Sequence, residues 1–212
     1  MRCLMSAKNL LVGIDFDNTI VCYDDIFHRV ASERGLISGN TPKNKESVRD
    51  YLRQAGKEDV WTEMQGYVYG ARMSDVSAFP GVLDCIAKLR SHGIPVFIIS
   101  HKTRHPYKGE AYDLHAAARE WLEAHCLFGS TVGMSSTDVY LKETKQEKLM
   151  QISACGCTHF IDDLPEFLAE PAFPKNTQKM LFSPSRTDGY PLAKDMIPFK
   201  SWCEITEFLL PR

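Results

Sequence analysis

The apolar positions of this chain change period several times, and each change marks an element. Leu10-Leu-Val-Gly-Ile14 is a short continuous apolar run that stops at Asp15. Its length predicts a buried β-strand, because a helix needs more residues to settle. Helical spacing follows. Asp24 to Gly35 places Ile26, Phe27 and Val30 on one face, Ser47 to Ala55 predicts a second helix ended by Gly56, and Glu58 to about Tyr69 a third, weakened by Gly66 and Gly70. Ser38-Gly-Asn-Thr-Pro42 reads as a loop.

After about Phe79 an α/β rhythm begins. Pro80 to His92 is a predicted helix with Val82, Ile86 and Leu89 on one face and Gly93 as its stop. Ile94 to Ile99 is an apolar strand ending on Ser100. Glu110 to Cys126 is a helix with Leu114, Ala118, Trp121 and Leu122 inward. Thr131 to Met134 reads as a short strand, Lys145 to Ala154 as a helix, Thr158 to Ile161 as a strand ending on Asp162-Asp163, Met180 to Phe182 as a last strand and Ser201 to Leu210 as a closing helix. Such alternation predicts a doubly wound parallel sheet with helices on both faces.

Bulk properties narrow the class. At 212 residues, 44% hydrophobic and 25% charged, the chain has the composition of a globular protein that buries one core, with room for an insertion. A net charge of -2 gives no basic excess for nucleic-acid binding. No apolar run is long enough to cross a bilayer, and Met1 to Lys8 resembles a signal start only faintly, so neither membrane nor nucleic acid is an expected partner. Seven irregularly spaced cysteines argue against a disulfide framework and for a reducing cytoplasm. Cys155-Gly-Cys157 with His159 lacks zinc-knuckle spacing, which favours buried thiols.

Predicted strands end on Asp15/Asp17, on Ser100 and on Asp162/Asp163, and a helix opens with Lys145. In a parallel sheet these ends share one edge, where α/β folds bind ligands. Clustered carboxylates suit Mg²⁺, and a hydroxyl and an ammonium suit a phosphoryl group. Each residue also has a plainer reading. Asp17-Asn-Thr19 makes a good turn. Asp163-Leu-Pro-Glu166 has the form of a helix capping box, with Asp163 as N-cap. Lys142 competes with Lys145, which is preferred because Thr144 can cap the helix and Leu149 and Ile152 fix its phase. Lys148 is read as part of the solvated face.

The set resembles the haloacid dehalogenase (HAD) superfamily in its phosphatase branch. Asp15-Phe-Asp-Asn-Thr19 looks like that family's Asp-x-Asp-x-Thr motif, and Ser100, Lys145 and Asp162-Asp163 look like its second, third and fourth motifs, in the family's order. The resemblance implies a Rossmann-like core over 1–20 and 80–212 and a small helical cap of the C1 type over 21–79. It implies Asp15 as nucleophile, Asp17 as general acid and base, Ser100 and Lys145 as phosphoryl-holding groups, and Mg²⁺ on Asp15, Asp17, Asp162 and Asp163. Thr19 would buttress the turn. An acid at position 17 favours phosphate esters over halides within that superfamily.

The expected activity is hydrolysis of a small phosphorylated metabolite. A phosphomutase and a catalytically silent ligand-binding member are the alternatives. His101-Lys-Thr-Arg-His105 suits either an anionic substrate, with His101, Lys102 and Arg104 in contact, or a solvated loop. Tyr23, Trp61, Tyr67, Tyr69 and Arg72 could line the cap's pocket or form its own core. His115 and His125 are read as structural.

Overall fold

The structure, a computed structural model, describes residues 10–129, 132–185 and 193–210. Met1 to Lys8, Cys3 among them, and Thr131 lie outside the described residues. The strands are β1 (Val12–Ile14), β2 (Val21–Cys22), β3 (Ser77–Ala78), β4 (Val96–His101), β5 (Val139–Lys142), β6 (His159–Asp162), β7 (Gln178–Phe182) and β8 (Met196–Phe199). The helices are α1 (Asp24–Glu33), α2 (Lys45–Gln54), α3 (Glu58–Tyr69), α4 (Val82–Ser91), α5 (Leu114–Ala124), α6 (Lys145–Ala154), α7 (Pro165–Leu168) and α8 (Trp202–Leu209).

Six strands form one sheet in the order β5-β4-β1-β6-β7-β8, and every pairing in it is parallel. The chain leaves β1 for β4 and β5 on one side, then crosses to β6, β7 and β8 on the other. The topological switch therefore lies at β1. β1 and Val96–Ile99 of β4 are continuous apolar runs, and β6 is buried along its whole length, because both faces of the sheet are covered.

Both edge strands depart from the sequence reading. No strand forms at 132–134; the strand is Val139–Lys142, preceded by a short turn that Ser135 and Asp138 close as a capping box. At the sheet's edge only Val139 of β5 is buried, so its apolar signal is weak. β8 is a strand beyond the expected last one and contains Pro198. An edge strand tolerates proline, which has no N–H to donate.

β1 also carries a glycine with a packing reason. Gly13 is aligned with Phe160 of β6, and a Cβ at Gly13 would meet the Phe160 ring at 2.5 Å and Cys157 Sγ at 2.9 Å. Gly13→Ala is expected to destabilise the protein by about 1–3 kcal/mol, since overpacking exceeds the small gain in chain entropy. A fall in the urea midpoint at unchanged slope would register it.

The described chain divides into two compact units. One comprises the residues up to Ile20, Ala78–His101 and those from Cys126 onward; it holds the six-stranded sheet. The other comprises Val21–Ser77 and Lys102–His125. In it Tyr23, Phe27, Trp61 and Tyr69 pack as an aromatic cluster, with Phe27 4.9 Å from Trp61 and Tyr23 4.8 Å from Tyr69 between ring centres. These rings are that unit's own core. Trp121 Nε1 donates to Val76 O at 2.8 Å, tying α5 to the chain before β3. α3 runs unbroken through Gly66, whose missing side chain leaves room for Pro106, and it ends at Gly70, against which Tyr112 packs. His115 Nε2 bonds Lys102 O at 2.7 Å and His125 stacks on Trp121 at 3.7 Å, both structural contacts.

Candidate active site

The parallel register brings the polar strand ends together. Ile14 stands beside Ile98 on one side and Ile161 on the other, so the residues that follow emerge along one rim. Asp15, one step past β1, is buried; Ser100 and Asp162 flank it from β4 and β6. Ser100 Oγ donates to Asp15 Oδ1 at 2.9 Å.

The tight turn and the candidate site are the same structure. Asn18 adopts φ 57, a left-handed conformation that Asn tolerates, and Ile20 N donates to Phe16 O at 3.0 Å. Thr19 is fully buried. Its carbonyl accepts from Trp202 Nε1 at 3.2 Å, and its hydroxyl reaches Asp163 Oδ1 at 3.5 Å.

Lysine assignment requires a correction. Lys145 is the first residue of α6 and is exposed. Lys148, read from sequence as a solvated position, is buried at 3% exposure and donates to Asp15 Oδ1 and Asp162 Oδ2, each at 2.6 Å. Thr144 does cap α6, with Glu147 closing the capping box. That start places Lys148 on the face of Leu149 and Ile152. Side chains on a helix lean toward its N-terminus, so the lysine one turn inside covers the spot at the helix mouth. The signal was present in the sequence: Lys148 lies four residues before Ile152, the i,i+4 relation that puts two residues on one face. The Lys148 ammonium also sits 4.1 Å from the centre of the Phe167 ring.

The capping-box reading of Asp163 also fails. Leu164 is the N-cap of α7, without a side-chain bond, and Glu166 is exposed. Asp162 Oδ1 accepts the Leu164 N–H at 2.9 Å instead, which fixes the turn after β6. Asp15, Asp162 and Asp163 each offer a carboxylate oxygen, all within 4.8 Å of one another. Hard oxygen donors this close fit a small divalent cation. Asp17, two residues beyond Asp15, is half-buried.

Burial pushes the Asp15 carboxyl up to about 7; Lys148 pulls against the rise, while Asp162 and Asp17 add to it. Lys148 is held above the usual lysine range despite its burial, because Asp15 and Asp162 face it. The neighbouring carboxylates thus favour the protonated form of Asp15, and the Lys148 cation opposes them.

Among the expected substrate contacts, His101 is half-buried, with Nε2 3.1 Å from Glu143 O, and burial together with Lys148 and Lys145 lowers its pKa. Lys102 and Arg104 belong to the second unit. There Lys102 Nζ lies 4.8 Å from the centre of the Tyr69 ring, and Arg104 pairs with Asp113 at 3.5 Å.

No protein-family model matches the chain, and no curated protein sequence does. Solved structures do. A predicted phosphoglycolate phosphatase from Haemophilus somnus 129pt matches with a TM-score of 0.58 at 16% identity, over 97% of this chain and 100% of that one. A HAD family hydrolase from Deinococcus radiodurans R1, with bound phosphate and sodium, matches with a TM-score of 0.55 at 19% identity, over 96% of each chain. A crystallised dehalogenase matches with a TM-score of 0.57 at 14% identity, over 98% of this chain and 100% of that one. At such identities the likeness is one of architecture: this chain has the HAD-like, Rossmann-type α/β fold.

Proposed function

We propose that the protein is a phosphomonoester hydrolase of the HAD phosphatase type, acting on a small phosphorylated metabolite with Mg²⁺ as cofactor. The observation that carries this reading is the pair of donors on Asp15: Ser100 at 2.9 Å and Lys148 at 2.6 Å, both on Oδ1. Two donors on one oxygen orient the carboxylate and leave Oδ2 to act as nucleophile. The bound phosphate in the Deinococcus relative and the phosphatase prediction for the Haemophilus one agree with phosphate chemistry.

Asp15 attacks phosphorus, a bond forms from its carboxylate oxygen, and the ester P–O bond breaks. Asp17 gives its proton to the leaving alcohol. In the second half water attacks the aspartyl phosphate, Asp17 takes a proton from it, and Asp15 is released with inorganic phosphate. Lys148 and Ser100 hold the charge around the transferring group. Asp15, Asp163 and, beside them, Asp162 and the Asp17 backbone carbonyl would hold Mg²⁺, which when bound supplies charge neutralisation for the phosphoryl oxygens. Asp17 is also what favours this reading over halide displacement, since only an oxygen leaving group needs a proton.

Turnover of p-nitrophenyl phosphate tests the reading. Activity is expected to vanish with a chelator and return with Mg²⁺. The Mg²⁺ needed for half-maximal rate is expected to rise as pH falls below about 7, by up to tenfold per unit. Metal must displace the proton that burial holds on Asp15, and above that pH no proton remains to displace. Metal-independent turnover, or none under any metal, would contradict the proposal.

A further inference from the structure

The two donors that meet on Asp15 Oδ1 come from different elements, and His101 links them. Ser100, the residue before it on β4, donates to that oxygen at 2.9 Å. On its other side β4 runs parallel to β5, with His101 aligned to Lys142, and Glu143 follows. His101 Nε2 lies 3.1 Å from Glu143 O. A carbonyl oxygen only accepts, so Nε2 carries the hydrogen and donates it.

The acceptor belongs to the peptide unit that joins Glu143 to Thr144, and that unit is held at both ends. The Thr144 N–H donates to Glu147 Oε2 at 3.0 Å, within the capping box that opens α6. Thr144 O in turn accepts the Lys148 N–H at 3.1 Å, a backbone bond of the first turn. A continuous series of bonds thus runs from the His101 ring to the backbone of Lys148, whose Nζ donates to Asp15 Oδ1 and Asp162 Oδ2, each at 2.6 Å. Every member belongs to the unit that holds the six-stranded sheet.

The Lys148 side chain is buried, with Nζ close to the Phe160 and Phe167 rings, so it has little freedom to make up for a shift of the helix mouth. Short charge-assisted bonds lose strength quickly with displacement. Histidine also suits the place chemically. A lysine or arginine there would add a third cation near Lys148 and Lys145, whereas a neutral imidazole donates without charge; burial and those two lysines favour that neutral form.

We infer that His101 is a positioning residue: by holding the Glu143–Thr144 peptide at the mouth of α6, it sets the placement of Lys148 relative to Ser100 around Asp15 Oδ1. This deepens the proposed hydrolase reading and rests on it only for what the placement does in catalysis.

A double-mutant cycle reads the link without activity. His101→Phe keeps a ring and removes the donor, and His101→Gln restores one, since its Nε2 stands as far along the side chain. Urea unfolding of the metal-free protein at pH 8 gives the factor by which Lys148→Met lowers the folding equilibrium constant. With His101→Phe already present that factor is expected to be about fivefold smaller, the coupling typical of residues in one hydrogen-bond network, and with His101→Gln to stay within about twofold of its value in the wild-type background. If His101→Phe does not fold, His101→Asn, whose amide stops short of Glu143 O, replaces it in the cycle. In Mg²⁺-supported turnover of p-nitrophenyl phosphate, removing the donor is expected to lower kcat about tenfold with KM within about twofold, the scale of a small misplacement at a reacting centre, and His101→Gln to recover most of the loss. Additive stabilities would reduce His101 to a support of the fold and overturn the inference. So would an unchanged kcat, a glutamine variant as impaired as the phenylalanine one, or a raised KM at constant kcat, which would mark a substrate contact. Absent turnover in the wild type, with the coupling intact, overturns the hydrolase reading and leaves the positioning role standing.

Discussion

Replacing Asp15 by asparagine is expected to reduce phosphomonoester turnover by roughly four orders of magnitude or more, the scale seen when a covalent nucleophile is removed. The substitution is nearly isosteric, so what it tests is charge. The amide oxygen can still accept from Ser100 Oγ, which now sits at 2.9 Å, and Lys148 keeps its second partner, Asp162, at 2.6 Å. What disappears is the carboxylate oxygen able to bond phosphorus. Two measurements separate this from unfolding. Steady-state turnover of p-nitrophenyl phosphate reads the chemistry, and a urea midpoint close to wild type shows that the sheet edge is intact. Retained turnover with an intact fold would remove Asp15 from the nucleophile's role. A residue acting only as a metal ligand would instead give activity that excess Mg²⁺ recovers.

How much of this was legible in the sequence varied with burial. β1, β4 and β6 are interior strands of the sheet, where the apolar runs Val12–Ile14 and Val96–Ile99 and the pair Phe160-Ile161 report burial on both faces, and their polar ends follow at once. Asp15, Ser100 and Asp162 could therefore be placed on one rim before any coordinates, because parallel register aligns strand ends. β5 and β8 were missed at the edges, where a strand has fewer neighbours and its pattern weakens; Pro198 is tolerated there for the same reason. Likewise, the amphipathic spacing around Trp121 yields a helix but not which body it joins. α5 falls in the second unit through contacts with a distant turn at Met73–Asp75 and with α3. Lys148 was misread by a general rule, that lysine inside a helix faces solvent. The rule fails where two carboxylates wait at the end of the side chain, because a buried ammonium is tolerated when it is paired. Gly66 misled in the opposite direction: α3 continues through it, and a side chain there would collide with Pro106 at 2.6 Å.

Lys148→Met should separate the two candidate lysines by a wide margin. Methionine keeps an unbranched stem of similar length beside the Phe167 and Phe160 rings, 4.1 and 5.4 Å from the present ammonium, so packing is largely preserved. The charge is lost. Asp15 and Asp162 then face each other without the cation that both now contact at 2.6 Å. Removing one partner from a buried ion pair leaves the other uncompensated, which costs about 3–5 kcal/mol. At pH 8 the metal-free variant is therefore expected to unfold at a much lower urea concentration than wild type. The sign of the pH effect follows from the same charges. Without Lys148 the carboxyl pKa of Asp15 rises further, so lowering the pH toward 6 protonates it, relieves the repulsion and narrows the deficit. Turnover is expected to fall by about 10²–10³-fold, the scale for removing one preorganised donor from a reacting oxygen. Lys145→Met, an exposed change at the first residue of α6, should stay within about 0.5 kcal/mol in stability and about twofold in rate. Kinetics and urea unfolding of the two variants at pH 6 and 8 decide between them. If Lys145→Met shows the large loss while Lys148→Met remains active and stable, the ion-paired cluster is not what holds the phosphoryl group. A deficit in Lys148→Met that is the same at both pH values would mean that the lysine supports the fold through packing rather than by balancing the two acids.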